Sequence, residues 1–237
     1  MKHSDLVRVA LISDIHANLP ALESVTQDPE FLECDQILFA GDLVGYYYWP
    51  AECFQVLKEF NTHSIRGNHE DMLFSALDTG SAAEISARYG SGIQVAMDQL
   101  SSDSIAEMRT WKHPETLSVD GHKLLLCHGS PSDISSYLYP SVDLPHVGRA
   151  SEGPLEIVVH GHTHYPSVRG SEGVLWINPG SLGQPRNKQP GAHWAILDTD
   201  SIEVFPKITA YDYSSVVDMA QKTDPSLPYL WEVLGRQ

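Results

Sequence analysis

The sequence predicts a mixed α/β fold built around two packed sheets. Three observations lead there. From Val7 to Ile65, short apolar runs alternate with stretches of helical spacing. From Glu70 to Thr110 the chain is rich in Ala, Met, Leu and Ser, with helical periodicity throughout. From Thr116 onward the period becomes that of strands, broken by Gly and Asp turns.

Val7–Ile12 is a continuous apolar run and reads as a buried strand. Leu19–Gln27 follows Asn18 and carries Pro20 in its first turn, as helices do. Gln36–Ala40 is a second buried strand, ending at Gly41-Asp42, and Ala51–Phe60 has helical spacing. Thr62–Ile65 is a third strand, ending at Gly67-Asn68-His69. Two or three helices are expected between Glu70 and Thr110. Thr116–Val119 and Lys123–Cys127 flank Asp120-Gly121, a strong hairpin signal. Ile157–His160, Val174–Ile177, Ala192–Leu197 and Ile202–Pro206 are the remaining strand candidates, and Gly129–Pro154 reads as a long loop. A single domain over 1–237 is expected, with a helical, cap-like insert at about 70–112.

Composition narrows the function. The chain has 237 residues, enough for a sizeable core without covalent staples. Acidic residues outnumber basic ones 31 to 15, for a formal net charge of −16. Stable binding to nucleic acid or to an anionic membrane needs clustered Lys and Arg, and is not expected. Cys34, Cys53 and Cys127 form no CxxC pair and fit a reducing cytoplasm. No apolar run is long enough to span a membrane. The N-terminal stretch ends its apolar run at Asp14 and lacks a cleavage pattern, so it reads as a first strand. The sequence carries no signal for an oligomeric state.

Five short motifs fall at or just after predicted strand ends: Asp14-Ile15-His16, Gly41-Asp42, Gly67-Asn68-His69, His128-Gly129 and Gly161-His162-Thr163-His164. Loops at the carboxyl ends of strands are where α/β folds place their sites. Carboxylate, imidazole and amide oxygen together suit hard or borderline divalent cations. Asp-x-His and His-x-His each put two side chains on one side of an extended segment. Two cations roughly 3.5 to 4 Å apart can clamp the attacking and leaving oxygens of an in-line displacement.

In that order and context, the motifs resemble the signature of the calcineurin-like metallophosphoesterases, from Val9 to about Asp198. The run Asn178-Pro179-Gly180-Ser181-Leu182-Gly183-Gln184-Pro185-Arg186 is further similar to the small bacterial and archaeal phosphodiesterase branch, itself similar to diadenosine tetraphosphatases. The resemblance implies a four-layer α/β/β/α sandwich of two mixed sheets. It implies two divalent metal ions, Mn favoured, with Fe, Zn, Ni or Co possible. One would be held by Asp14, His16, Asp42 and His164. The other would be held by Asp42, Asn68, His128 and His162, with Asp42 bridging. His69 would be catalytic, protonating the leaving oxygen or stabilising phosphoryl charge. The activity implied is hydrolysis of a small phosphate ester, first a phosphodiester, by a metal-activated hydroxide. The alternatives are a phosphomonoesterase or protein phosphatase, a dinucleoside polyphosphate hydrolase, and a non-catalytic scaffold resembling the retromer subunit.

Residues outside the motifs carry weaker signals. Tyr46, Tyr47, Tyr48 and Trp49 form an aromatic run that either packs or stacks on substrate, and Tyr47 and Trp49 are candidate substrate contacts. Arg186 is a candidate phosphate contact, since its fork is planar and always charged. Arg66 reads as half of a structural ion pair and Asn18 as a helix cap. His160 and Cys127 should face away from the site.

Overall fold

The computed structural model describes residues 7–147 and 155–237. The stretch before Val7 and the part of the long loop at 148–154 lie outside the described residues. The first half runs β1 (Arg8–Ile12), α1 (Leu19–Thr26), α2 (Pro29–Leu32), β2 (Gln36–Phe39), α3 (Pro50–Lys58) and β3 (Thr62–Ser64). Four helices follow: α4 (Asn68–Thr79), α5 (Ala82–Tyr89), α6 (Gly92–Gln99) and α7 (Ser102–Met108). Then come β4 (Glu115–Val119), β5 (His122–Leu126), β6 (Ile157–Val159), β7 (Ser167–Ser171), β8 (Val174–Asn178), β9 (Ala192–Asp198) and β10 (Glu203–Thr209). Two helices, α8 (Ser214–Thr223) and α9 (Tyr229–Glu232), close the chain.

The strands form two five-stranded sheets, ordered β10-β9-β1-β2-β3 and β4-β5-β6-β8-β7. Each has three parallel strands beside antiparallel ones: β1, β2 and β3 in the first, and β5, β6 and β8 in the second. The predicted mixed fold with two sheets is therefore what forms. The sheets pack face to face, and strand alternation decides which side chains meet there. Val9 and Leu11 of β1 point into the inter-sheet core with Leu124, Leu126, Ile157 and Val159. Ala10 and Ile12 point the other way, onto α1, α3 and the α4–α7 helices. The outer face of the second sheet, Leu125, Val158 and Trp176, is covered among the described residues by Leu138, Leu144, Val147 and Leu155 of the long loop.

Several elements escaped the sequence reading. The β7 segment, Ser-Val-Arg-Gly-Ser, is too polar to stand out, and it forms because Glu172-Gly173 turns it back onto β8. The segment from Glu70 to Thr110 makes four helices, not two or three, because Gly80 and Gly90 each end one in a single residue at positive φ. The short α2, and α8 with α9, were not anticipated. α8 and α9 pack Val216, Ala220 and Leu230 against Tyr46, Tyr47 and Tyr48. No helix among the described residues is long and apolar enough to cross a membrane.

Candidate metal centre

The carboxyl ends of β1, β2, β3, β5 and β6 come together at one edge of the two sheets. There the structure collects Asp14, His16, Asp42, Asn68, His69, His128, His162 and His164, all buried. The loops are strained to do so. Asp14, His16, Asp42, His162 and His164 all have positive φ, between 51° and 66°. Non-glycine residues in that region cost about 1–3 kcal/mol each and persist only where their surroundings over-determine them. Here the backbone does so: Asp14 N donates to Gly41 O at 3.0 Å, His16 N to Asp42 O at 3.0 Å, and Ala17 N to Leu43 O at 2.6 Å. Two glycines allow the loops to close in. A Cβ on Gly67 would lie 2.1 Å from Asp42 Oδ1, and one on Gly161 would lie 1.9 Å from Ser13 Oγ.

The imidazoles are oriented by their Nδ1 atoms. His16 Nδ1 faces Val44 O at 3.0 Å, His128 Nδ1 faces Ala40 O at 2.7 Å, and His164 Nδ1 faces Gln184 O at 2.6 Å. A carbonyl can only accept, so each Nδ1 carries a proton; Nε2 of the neutral His16 and His164 rings is then a bare lone pair, while the His128 ring, kept charged by Asp42 and Asp14, carries a second proton on Nε2. These Nε2 atoms converge. His16 Nε2 and His164 Nε2 are 3.1 Å apart, His164 Nε2 is 3.3 Å from Asp14 Oδ1, and His128 Nε2 is 3.1 Å from Asp42 Oδ2. Asn68 Oδ1 lies 3.0 Å from His128 Nε2. Two acceptors 3.1 Å apart, with Asp14 Oδ1 and His162 Nε2 buried and without hydrogen-bond partners among the described residues, are the marks of a site shaped for cations. Among the described residues, three groups have ligand atoms within 4.8 Å of one another: Asp14, His16 and His164; Asp42, His128 and His162; and His16, Asp42 and His69. Asp42 belongs to two of them. The residues present fit a dinuclear centre of His and Asp ligands.

Protonation follows the same geometry. Burial works against charge on both aspartates, yet His164 beside Asp14 and His128 beside Asp42 hold their carboxyls below the usual range. Burial likewise opposes charge on His128, but Asp42 and Asp14 outweigh it and push the ring up to about 9. Burial lowers His69 and His162 to about 4.

Residues to which the sequence reading assigns no role hold the cluster in place. Glu70 is fully buried at the start of α4. Its Oε2 accepts from Gly67 N at 2.6 Å and Asp42 N at 2.9 Å, and its Oε1 accepts from Leu43 N at 2.8 Å and Val44 N at 3.2 Å. One carboxylate thus ties the Asp42 loop to the Asn68 loop. Asn178 Nδ2 donates to Gly161 O at 2.9 Å and Ser181 Oγ to Asp14 O at 2.8 Å, so the run after β8 braces the second sheet's motif against the first sheet's. Glu70 three residues after Gly67 was the available signal, as an acid at the third position of a helix.

Other sequence-predicted residues fall as follows. Asn18 caps α1 through Ala21 N at 3.2 Å, and also donates to Gly183 O. Arg66 pairs with Asp71 at 2.9 Å. His160 and Cys127 are buried away from the centre. Arg186 lines the cavity above the cluster, a space of ≈ 20 Å³ also lined by Asp42, Tyr46, Asn68, His69, Tyr89, Tyr137, His162 and His164. Its Nη2 donates to Tyr46 Oη at 3.0 Å and to Gln184 Oε1 at 2.8 Å, and among the described residues it makes no ion pair. Tyr47 and Trp49 must be corrected as substrate contacts. Tyr47 is fully buried and donates to Leu230 O at 2.9 Å, and Trp49 packs in the same cluster with α8 and α9. Tyr46 is the member of that run that reaches the site, its ring 4.6 Å from His16 and 4.8 Å from His69. A second, open groove of ≈ 520 Å³ starts at Asn68 and runs past Asp71, Ser75, Glu84 and Ser135.

The family model of the calcineurin-like phosphoesterase superfamily domain matches residues 7–202. A protein of Methanocaldococcus jannaschii without assigned function is 28% identical, the alignment covering 90% of this chain and 92% of that one. The phosphodiesterase YfcE of Escherichia coli K12 is 25% identical over 91% of this chain and 98% of its own. The crystal structure of a metallophosphoesterase from Sphaerobacter thermophilus superposes with a TM-score of 0.73 at 26% identity, covering 97% of this chain and 99% of that one.

Proposed function

The chain belongs to the calcineurin-like phosphoesterase superfamily, and from that premise we propose that it hydrolyses a small phosphodiester at two divalent cations. The observation that carries this reading is the floor of the cavity, where bare imidazole nitrogens and carboxylate oxygens from five strand ends face one centre. The ligand sets we assign are Asp14, His16, Asp42 and His164 for one cation, and Asp42, Asn68, His128 and His162 for the other. His69 is kept out of them, although its ring also groups with His16 and Asp42. When bound, the cations supply electrophilic charge and lower the pKa of water to near neutrality. Oxygen and nitrogen donors without thiolate suit Mn²⁺, the ion we favour, and also Fe²⁺, Co²⁺, Ni²⁺ or Zn²⁺.

The chain's own groups then have separate tasks. Asp14 and Asp42 carry two negative charges against the four positive charges of two such cations, so the floor attracts a phosphoryl anion. Arg186, turned into the cavity and free of any carboxylate among the described residues, holds phosphoryl oxygens. His69 is neutral at pH 7, because burial keeps its ring near 4, and nearby cations act in the same direction. It therefore acts as a neutral N–H donor to the leaving oxygen as charge develops there.

The relative from Escherichia coli bears the name phosphodiesterase, which supports a diester. The open groove of ≈ 520 Å³ along Asp71 and Glu84 meets the cavity under Arg186 at Asn68 and offers space for one ester substituent beside the centre. Unpaired Cys34, Cys53 and Cys127 support a cytoplasmic setting, and the net charge of −16 argues against nucleic acid as partner. The deciding experiment strips the protein of metal and reloads it with one ion at a time. Each form is offered a phosphodiester, a phosphomonoester and a dinucleoside polyphosphate. The highest kcat/KM should be on the diester with Mn²⁺. A preference for either other ester would reassign the substrate, and no turnover with any ion would remove the proposal.

A further inference from the structure

The long loop after β5 carries Tyr137, Leu138 and Tyr139 in extended alternation. Leu138 turns inward to the second sheet's outer core, while Tyr137 and Tyr139 remain 50% and 38% exposed. Their rings are parallel within 12°, with centroids 5.6 Å apart, inside the range of offset stacking. The inner ring, Tyr137, sits 4.2 Å from the ring of His162 and lines the same cavity as Asp42 and Arg186. The outer ring meets the edge of Tyr165 at 5.6 Å. The pair is held in place. Arg169 Nη1 donates to Pro140 O at 2.9 Å and Val142 O at 2.7 Å, and Leu138 pins the segment from below.

Two offset-stacked tyrosines, both part-exposed, form an aromatic strip that begins at the metal centre and leads outward. We propose that Tyr137 and Tyr139 are a stacking subsite for a flat aromatic group, a nucleobase or an aryl ring, on the phosphate ester this protein hydrolyses. The inference rests on the phosphoesterase reading above. With the phosphoryl group on the floor and under Arg186, one ester substituent leaves the cavity across Tyr137. A planar π-system there covers apolar ring surface and gains offset stacking, which an alkyl or sugar group does not. Stacking of this kind also accepts any base, because every base has a π-face. The strip lacks the clustered basic residues that would bind a polymer backbone, so it selects a single ring rather than a strand. Other exposed apolar side chains, such as Leu32, Phe205 and Ile208, are not among the residues lining the cavity.

The test uses matched pairs that differ only in the flat group, on the Mn²⁺-loaded enzyme. Adenosine 5′-monophosphate is compared with ribose 5-phosphate, and phenyl phosphate with cyclohexyl phosphate. Inhibition constants against a dialkyl phosphodiester are read beside calorimetric Kd values. The aromatic member of at least one pair should bind about tenfold tighter or more. A preference in the first pair alone identifies a nucleobase, and a preference in the second identifies an aryl ring. Tyr137→Ala and Tyr139→Ala should each erode the ratio, while Tyr139→Phe, which keeps the ring, should retain it. Equal constants within both pairs, or a ratio unchanged in both alanine variants, overturn the subsite. Hydrolysis of the dialkyl ester by the wild type in that same experiment leaves the phosphoesterase reading standing. Absence of any hydrolysis defeats that reading instead.

Discussion

The floor and the rim of the cavity are built by different means. The floor, Asp14 to His164, stands on strand ends; Glu70 ties the loops of the first sheet at 2.6–3.2 Å, and bonds of 2.8–3.1 Å from His162, Ser181 and Gly183 to Asp14 tie that sheet to the second. The rim, Tyr46, Tyr89, Tyr137 and Arg186, is assembled from a loop, a helix end and two further loops. Its members meet through side chains only, as in the Arg186 contact with Tyr46 Oη. The floor fixes the chemistry, and the rim decides what reaches it. Changes to the floor should accordingly strike metal content and turnover, and changes to the rim should strike KM.

The largest effect should come from Asp42, the residue shared by both proposed ligand sets. Asp42→Asn should lower turnover by about 10³-fold or more and should be recovered with less than two metals per chain. Turnover and metal content are measured on one preparation. Two retained metals with wild-type turnover would place Asp42 outside the centre.

His69 separates binding from chemistry within the floor. His69→Ala should keep both metals and lose about 10²- to 10⁴-fold in kcat. The loss should shrink for esters with good leaving groups, which need less help in departing. An equal loss across leaving groups would leave stabilisation of phosphoryl charge as its role and exclude a hydrogen bond to the leaving oxygen.

Glu70 tests whether the backbone ties matter. Glu70→Gln keeps the size but turns an N–H donor toward one or more of four backbone N–H groups. Metal affinity should fall about 10- to 100-fold, the usual cost of disturbing an outer partner of a ligand. Chelator competition reads this directly, and an unchanged affinity would mean the loops hold their shape without Glu70.

At the rim, Arg186→Gln removes a charge but keeps a donor. KM for a phosphodiester should rise about tenfold, in line with losing a charge-assisted hydrogen bond of about 1.5–3 kcal/mol, while metal content stays at two. A fall in kcat with unchanged KM would instead assign Arg186 to the transition state alone.

The same contrast governs what the sequence disclosed. Ligand-type residues on the floor are legible because strand ends are local: an apolar run, then Asp-x-His, Gly-Asp, Gly-Asn-His, His-Gly or Gly-His-x-His. β1, β2, β5 and β6 could be read within a residue or two for the same reason. Arg186 is the rim residue the sequence points to; the rest of the rim is not legible because its partners are far apart in the chain. Nothing near Tyr47 announces that α9, some 180 residues later, will accept its hydroxyl at Leu230 O. Nothing near Tyr137 announces His162. Glu70 was visible as a helix-start acid, but its grip on Asp42 requires β2 and β3 to lie side by side, which is a property of sheet order.

Tyr47 gives the smallest effect and the sharpest division between aromatic neighbours. Tyr46 and Tyr47 are adjacent in sequence, yet one faces the cavity and the other the C-terminal helices. Tyr47→Phe keeps the ring and removes only the hydroxyl, which leaves the Leu230 carbonyl without its 2.9 Å donor and Gln184 Nε2 without a long, 3.4 Å acceptor, while the 2.8 Å bond of Gln184 Oε1 to Arg186 is kept. An intramolecular hydrogen bond contributes about 0.5–1.5 kcal/mol net, and stranding a buried partner moves the cost toward the upper end. For a chain of this size that corresponds to a fall in Tm of about 2–4 °C. Because the lost contact holds α9 and not the substrate, KM and kcat for a phosphodiester should stay near wild type while Tm falls. Thermal unfolding and steady-state kinetics on the same protein separate the two. A rise in KM without loss of Tm would return Tyr47 to the substrate side and erase the division between the two neighbours.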